Sequence, residues 1–374
     1  MNIALNLAFL TPGTHGGFDV YARRLAEALA GRSDLNLTLL LPRPAGADPS
    51  WRSLGRVLVL PVDPRRRVEW VLADQVHAPH AAEKAGAQVL HSLASTGPIR
   101  GRVPRVVTVH DLSYLKHPEA HFGLRALGMR LLVPAAARRS RRVIVPSRST
   151  RDDVVRHLRL NPSKVDVVPN AVGHPPGAPG RSRDRVRADL DAGERSILLT
   201  VSAKRPHKNL MRLLGALTRI PRERRPLLVL PGYPTPHEVE LRSRAAQLGL
   251  GRDVRFLGWV SEEELEDLYR ASDGFVFPSL HEGFGLPVLE AMARGLPVAT
   301  SHRSSLAEVA GDAALLFDPD DEASVAGAIE RLLTDPDLVV RLAAAGPTQA
   351  ARFTWEATAD GCVTSYRRAL ESPA

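Results

Sequence analysis

Short runs of apolar residues alternate with amphipathic stretches along almost the whole chain, and this rhythm restricts the fold more than any other feature. Ile3 to Leu7, Leu35 to Leu41, Val57 to Leu60, Val106 to Val109, Val143 to Val145 and Val165 to Val168 read as buried strands. A strand covered on both faces has no need to alternate apolar with polar residues. Such runs, separated by helical patterns, indicate a parallel sheet with helices on either side. The first helical stretch shows the complementary pattern, with Tyr21, Leu25, Ala28 and Leu29 on one face and Arg23, Arg24 and Glu27 elsewhere.

The rhythm stops between Gly173 and Gly193, where HPPGAPGRSRDR is rich in proline, glycine and arginine, so residues 173–194 read as a linker. It restarts with Ile197 to Val201, Leu227 to Leu230, Val254 to Leu257, Phe275 to Phe277 and Val298 to Thr300, a second sheet of the same kind. Ser261 and Glu264 have the form of a capping box at one helix start, and helical patterns run from about Glu322 to Leu370. A chain of 374 residues exceeds what a single core usually supports. The expected fold class is therefore α/β, with two Rossmann-like, doubly wound domains facing a cleft. Ligands of open α/β sheets bind beyond the carboxyl ends of the strands, so the chemistry is expected in strand-to-helix loops.

Composition narrows the class further. Apolar residues make up 44% and charged residues 24%, the balance of a soluble globular protein, and no apolar run is long enough to span a bilayer. The single cysteine, Cys362, excludes an internal disulfide framework and a cysteine-based metal site, which fits a reducing compartment, the cytoplasm. The net charge is +9, but only five of the 50 basic residues are lysine, a bias that GC-rich coding also produces. No nucleic-acid partner is expected from charge alone. The stretch from Phe122 to Arg142 combines an apolar helical face with a basic end and could seat the first domain peripherally on an anionic membrane. Its place between two buried strands, where a covering helix is expected, favours that structural role over membrane docking.

Four loops carry residues suited to chemistry. Phe275 to Thr300, FVFPSLHEGFGLPVLEAMARGLPVAT, reads as strand, loop, helix and strand. Gly283 and Gly285 let backbone approach a ligand closely, Pro287 suits a helix start, and the unpaired amides there can receive a diphosphate. Glu282 lies in the loop and Glu290 is expected in the first helical turn, where carboxylates can accept hydrogen bonds from sugar or ribose hydroxyls. In VSAKRPHKNL, Lys204, Arg205 and Lys208 follow a strand and offer cations to a diphosphate leaving group. Gly16 and Gly17 precede the first helix, within PGTHGGFDVY, and His110 and Asp111 close the strand Val-Thr-Val-His-Asp.

The spacing of Glu282 and Glu290 around Gly283-Phe284-Gly285-Leu286-Pro287 resembles the paired-glutamate signature of the retaining glycosyltransferases of family four, which have the GT-B fold. The resemblance implies that Glu282 contacts the donor sugar, that Glu290 binds the nucleotide ribose, and that the backbone of Gly283, Phe284, Gly285 and Leu286 faces sugar and phosphate. It implies that Arg205 and Lys208 grip the diphosphate, although His207 stands where many relatives have arginine. Gly16 and Gly17 match the family's donor-phosphate loop, and His110 the histidine near the donor sugar and reaction centre. Residues 1–172 would then form the acceptor domain, with a helix at about 354–374 packed back on it, and residues 195–353 the donor domain.

The reaction implied is a metal-independent, retaining transfer from a UDP- or GDP-linked sugar to a hydroxyl of a glycan, lipid-linked or small-molecule acceptor, with no cofactor beyond the donor. Within enzymes the alternative is a nucleotide-sugar 2-epimerase; outside them, a non-catalytic sugar-nucleotide-binding partner. TPGTHGG lacks the spaced glycines of a dinucleotide-binding dehydrogenase.

Overall fold

The computed structural model describes residues 1–11, 16–116, 123–178 and 180–371. The chain forms two compact units, Met1–Gly173 with Thr354–Ala374, and His174–Phe353.

Among the described residues of the first unit, seven strands are laid down in chain order: β1 (Asn2–Asn6), β2 (Asn36–Pro42), β3 (Arg56–Leu60), β4 (Val89–Ser92), β5 (Arg105–Thr108), β6 (Arg142–Val145) and β7 (Val165–Val167). Their spatial order is β3-β2-β1-β4-β5-β6-β7, and every neighbouring pair is parallel. The second unit has β8 (Ile197–Leu199), β9 (Leu227–Leu230), β10 (Val254–Phe256), β11 (Gly274–Phe277), β12 (Val298–Ser301) and β13 (Leu315–Phe317). They lie in the order β10-β9-β8-β11-β12-β13, again all parallel. Each sheet reverses direction of growth once, between β1 and β4 and between β8 and β11. A doubly wound sheet opens its ligand crevice at that reversal, because the loops on either side leave toward opposite faces.

Two strands have no counterpart in the apolar runs. His91 and Ser92 interrupt β4 with polar side chains, yet both are buried because their polar atoms have partners. The other, β13, is a three-residue edge strand with Leu316 left 40% exposed.

The helix Trp355–Glu371 belongs to the first unit, where it buries Cys362, Val363, Tyr366 and Ala369 with Leu25, Leu29 and Val106. Polar bonds fix its register: Thr358 Oγ1 donates to the Pro169 carbonyl at 2.8 Å, Trp355 Nε1 to that of Val172 at 2.9 Å, and Ser365 Oγ to Asp166 Oδ2 at 2.6 Å. Gly361 permits the contact, since a Cβ there would come within 2.7 Å of Val168 Cγ1.

The proline- and glycine-rich stretch read as a linker is, from His174 onward, folded onto the second unit. It contains the helix Arg183–Asp189, and Asp267 Oδ1 accepts from the amides of Gly180 and Arg181 while Oδ2 accepts from Arg181 Nε at 2.9 Å. Composition obscured this because Val186, Leu190 and Ala192 supply the buried surface, while charged side chains supply the rest. In the helix Gly123–Arg139, Val133, Ala136 and Ala137 are buried and Leu131 is 65% exposed, as expected of a helix covering a sheet; Phe122 lies outside the described residues. Among the described residues, no helix is long and apolar enough to cross a membrane.

The buried His91 ring is bonded at both nitrogens, Nε2 to Thr108 Oγ1 and Nδ1 to the Tyr366 hydroxyl, each at 2.8 Å. Burial pushes its pKa down to about 3, so the ring stays neutral in the folded state. Replacing Tyr366→Phe leaves Nδ1 without its partner and is expected to cost about 1–3 kcal/mol in urea unfolding. An unchanged midpoint would contradict this. Because the unfolded chain takes up a proton near pH 6.5 and the folded one only near 3, the His91 contribution to stability is full above pH 6.5. It is lost as pH falls through that window.

Candidate functional site

In the second unit β8 and β11 are hydrogen-bonded neighbours, Leu199 opposite Phe275, so the loops that follow them leave from one point of the sheet edge. The β8 loop ends in the one-turn helix Pro206–Lys208, and Asn209, with φ of +59°, turns the chain into the helix Leu210–Arg219. Asparagine is one of the few residues that enters this left-handed conformation readily. Its Nδ2 donates to the carbonyls of Pro278 at 3.2 Å and Pro319 at 2.7 Å. The His207 carbonyl accepts from the Leu280 amide at 2.8 Å and from Ser279 Oγ at 3.1 Å. These bonds stitch the β8 loop to the β11 loop.

The outcome is an ion pair between residues 74 positions apart: Lys208 Nζ donates to Glu282 Oε1 at 2.5 Å, and also lies 5.4 Å from the centre of the Phe277 ring. Both partners are mostly buried, at 17% and 14% side-chain exposure, which strengthens their attraction relative to a surface pair. The Glu282 backbone is held as tightly. Its amide donates to Ser304 Oγ at 2.8 Å, and its carbonyl accepts from Ser304 Oγ at 2.7 Å and Ser305 Oγ at 3.0 Å. Ser305 Oγ also donates to the Phe284 carbonyl at 2.8 Å. Gly283, Phe284 and Gly285 are buried, and Gly285 adopts φ of +111°, which only glycine takes without strain. Leu286 then opens the helix Leu286–Ala293, with Pro287 in its first turn and both side chains partly exposed.

Glu290 is the fifth residue of that helix, past the first turn where the sequence reading placed it, and is 4% exposed. Its Oε1 accepts from the His174 amide at 3.1 Å and from His174 Nδ1 at 2.9 Å; its Oε2 accepts from the Tyr269 hydroxyl at 3.0 Å. Neither His174 nor Tyr269 carries a sequence signal that marks it as part of the site.

Lys204 departs from the expected role of a ligand-facing cation. It is 1% exposed, and its Nζ donates to the carbonyls of Leu230 and Gly232 at 2.8 Å and of Leu257 at 3.1 Å. Burial pulls its pKa down to about 8, a pull that the nearby Glu238 charge opposes, and the three carbonyls match the three ammonium protons. Lys204 thus ties together the chain ends beyond β9 and β10. Arg205 heads the Pro206–Lys208 turn and is partly exposed.

In the first unit His110 follows β5. Its Nε2 donates to the Leu93 carbonyl at 2.7 Å, and the rings of Phe18 and Tyr21 meet it edge-on with centres 4.7 Å away. Burial lowers the pKa of His110, so the ring is neutral with Nδ1 as its acceptor nitrogen. Asp111 Oδ1 accepts from the Ser113 amide at 2.7 Å and so holds the turn. Gly16 precedes the helix Gly17–Ala30 in extended conformation, while Pro12–His15, the rest of the glycine loop, lie outside the described residues. Asp19, in that helix's first turn, has a carboxyl pushed up to about 7 by burial.

Two doubly wound sheets, with a fixed cation, a carboxylate and a helix start gathered at the reversal of the second, define an α/β protein whose second sheet carries polar groups where such sheets take their ligands. Comparison with known proteins gives the family. The profile of "Glycosyltransferase Family 4" matches residues 15–174, and that of "Glycosyl transferases group 1" matches residues 182–349. A D-inositol 3-phosphate glycosyltransferase of Frankia alni is 35% identical over 81% of this chain and 79% of its own. The O-antigen chain mannosyltransferase B of Escherichia coli is 31% identical over 70% of each chain. Some relatives are longer: the chain spans 34% of a serotype-specific mannosyltransferase WbdA of Escherichia coli. The crystal structure of HepE from Anabaena, in complex with UDP and glucose, superposes with a TM-score of 0.74 at 19% identity over 97% of this chain and 98% of that one. The chain belongs to the group 1 glycosyltransferases and has the GT-B fold.

The geometry distinguishes the two lysines. Lys204→Met removes the donor from three buried carbonyls and is expected to cost about 2–4 kcal/mol of stability in urea unfolding. Lost sugar transfer at unchanged stability would return Lys204 to the ligand.

Proposed function

We propose that the chain moves a sugar from a UDP- or GDP-linked donor to a hydroxyl of a glycan, lipid-linked or small-molecule acceptor, retaining the anomeric configuration and using no metal ion. The observation that carries this reading is the Lys208–Glu282 pair beside the start of the helix Leu286–Ala293. A diphosphate needs a fixed cation and exposed amides, a sugar needs a carboxylate acceptor, and the two loops supply them together.

Donor binding converts the ion pair into a three-way arrangement in which Lys208 turns to the diphosphate and Glu282 accepts from sugar hydroxyls. Arg205, from the same turn, adds charge to the diphosphate. Gly283, Phe284, Gly285 and Leu286 bring backbone against sugar and phosphate, and Glu290 takes the ribose. Gly16 and Gly17, and His110, keep the roles the family resemblance gives them, toward the donor phosphate and the donor sugar. In the transfer step the acceptor oxygen bonds to the anomeric carbon as its bond to the phosphate oxygen breaks, and the acceptor's proton passes to that departing oxygen on the same face. Lys208, Arg205 and the helix amides stabilise the charge that grows there, a preorganised electrostatic contribution needing no metal.

Four outcomes are expected. A thermal-shift panel of nucleotide sugars gives at least one donor that raises Tm, since a ligand of the folded state stabilises by mass action. With that donor, Lys208→Ala lowers kcat/KM by roughly 10²–10³-fold. Product NMR shows a retained anomeric centre, and activity survives EDTA. An inverted product, or activity lost to EDTA and restored by manganese, would overturn the mechanism. Nucleotide release independent of any acceptor would point to the epimerase instead.

A further inference from the structure

We propose that His174 is a positioning residue of the nucleotide site, fixing the Glu290 carboxylate so that a single acceptor position, on Oε2, remains for a ribose hydroxyl. This rests on the reading of Glu290 as the ribose ligand and adds a residue and a specificity to it.

A carboxylate offers about four acceptor positions, two on each oxygen. The two on Glu290 Oε1 are filled by the backbone amide and Nδ1 of His174, at 3.1 and 2.9 Å. On Oε2 one is filled by the Tyr269 hydroxyl at 3.0 Å. Tyr269 is 1% exposed, and burial beside the Glu290 charge holds its pKa well above the ordinary value, so it keeps its proton and donates. Because a carboxylate only accepts, His174 carries its proton on Nδ1, and its Nε2 faces Glu262 Oε1 at 3.5 Å. The frame behind the carboxylate is braced. Arg294 stacks on the Tyr269 ring with its guanidinium carbon 4.5 Å from the centre, donates to the Glu290 carbonyl at 2.8 Å, and pairs with Glu266 at 2.6 Å.

A ribose presents two vicinal hydroxyls, and an unencumbered carboxylate would accept from both. Glu290, as His174 and Tyr269 hold it, has room for one. Nucleotide affinity should therefore depend on one of the two hydroxyls and be nearly indifferent to the other. His174 is also the first residue of the second unit, so this constraint is set by the segment on which the chain enters it.

The test is calorimetric titration of the full-length protein with UDP and GDP, the tighter binder then compared with its 2′-deoxy and 3′-deoxy forms. In the wild type one deoxy form is expected to bind roughly tenfold more weakly, as for a lost hydrogen bond to a charged group, and the other within about threefold of the parent. His174→Ala keeps the backbone amide on Oε1 but frees the position held by Nδ1, and both deoxy forms should then lose affinity; His174→Gln, which keeps an N–H donor, should restore the one-hydroxyl pattern. Tyr269→Phe opens the second position on Oε2 and reads the same geometry independently, should His174→Ala not fold. A merely structural role would weaken all three nucleotides alike and leave their ratios as in the wild type. Unchanged ratios in His174→Ala and in Tyr269→Phe, or equal dependence on both hydroxyls in the wild type, would overturn the proposal. If Glu290→Gln left the affinities for all three nucleotides at wild-type values, or if neither UDP nor GDP bound, the reading of the site itself would fail.

Discussion

The proposed donor site depends on the adjacency of two parallel strands. Because β8 and β11 lie side by side at the reversal of the second sheet, Lys208 and Glu282 meet although 74 residues separate them. Parallel pairing sends both chains out of the sheet at the same edge, and the reversal sends their helices to opposite faces, leaving the loops to line a gap. The hydrogen bonds from Asn209, Ser279, Ser304 and Ser305 then hold the loops to within the tolerance that charge-assisted bonding requires. None of these four residues carries charge, and each acts by fixing backbone.

The two lobes use buried polar groups in the same way. Lys204 draws together the chain beyond β9 and β10, while His91 links β4 to β5 and to the helix Trp355–Glu371. A buried polar atom is costly unless bonded, so a fully bonded one specifies its neighbours more sharply than an apolar contact of similar size. This explains how a strand such as β4 can carry a histidine and a serine at full burial. It also separates Lys204 from Lys208, two similar side chains four residues apart: the first is consumed by backbone carbonyls, the second is paired with the Glu282 carboxylate.

Much of this was legible before any coordinates. Short apolar runs such as Leu227 to Leu230 and Val298 to Thr300, repeated between helical patterns, read as strands buried on both faces, and the glycine and proline at positions 285 and 287 mark a tight entry into a helix. The capping box at Ser261 and Glu264 forms with both reciprocal bonds. What escaped was whatever depended on side-chain direction. Sequence places Lys204 in the right loop but not its direction, toward the carbonyls of Leu230, Gly232 and Leu257. It marks Glu290 by spacing from Glu282 but not the hydrogen bonds from His174 and Tyr269, which come from distant segments. The Gly173 to Gly193 stretch misleads by composition, since its arginines, which suggest a solvated tether, are spent on carboxylates such as Asp267, Asp189 and Asp273.

The proposed function requires that the second unit receive an anionic diphosphate at Lys208 and at the head of the helix Leu286–Ala293. A crystal structure of the protein grown with UDP or GDP measures this directly. Phosphate oxygens are expected within hydrogen-bonding distance of Lys208 Nζ and of the backbone amides between Gly283 and Leu286. Diphosphate density lodged elsewhere, with Lys208 still closed on Glu282, would contradict it.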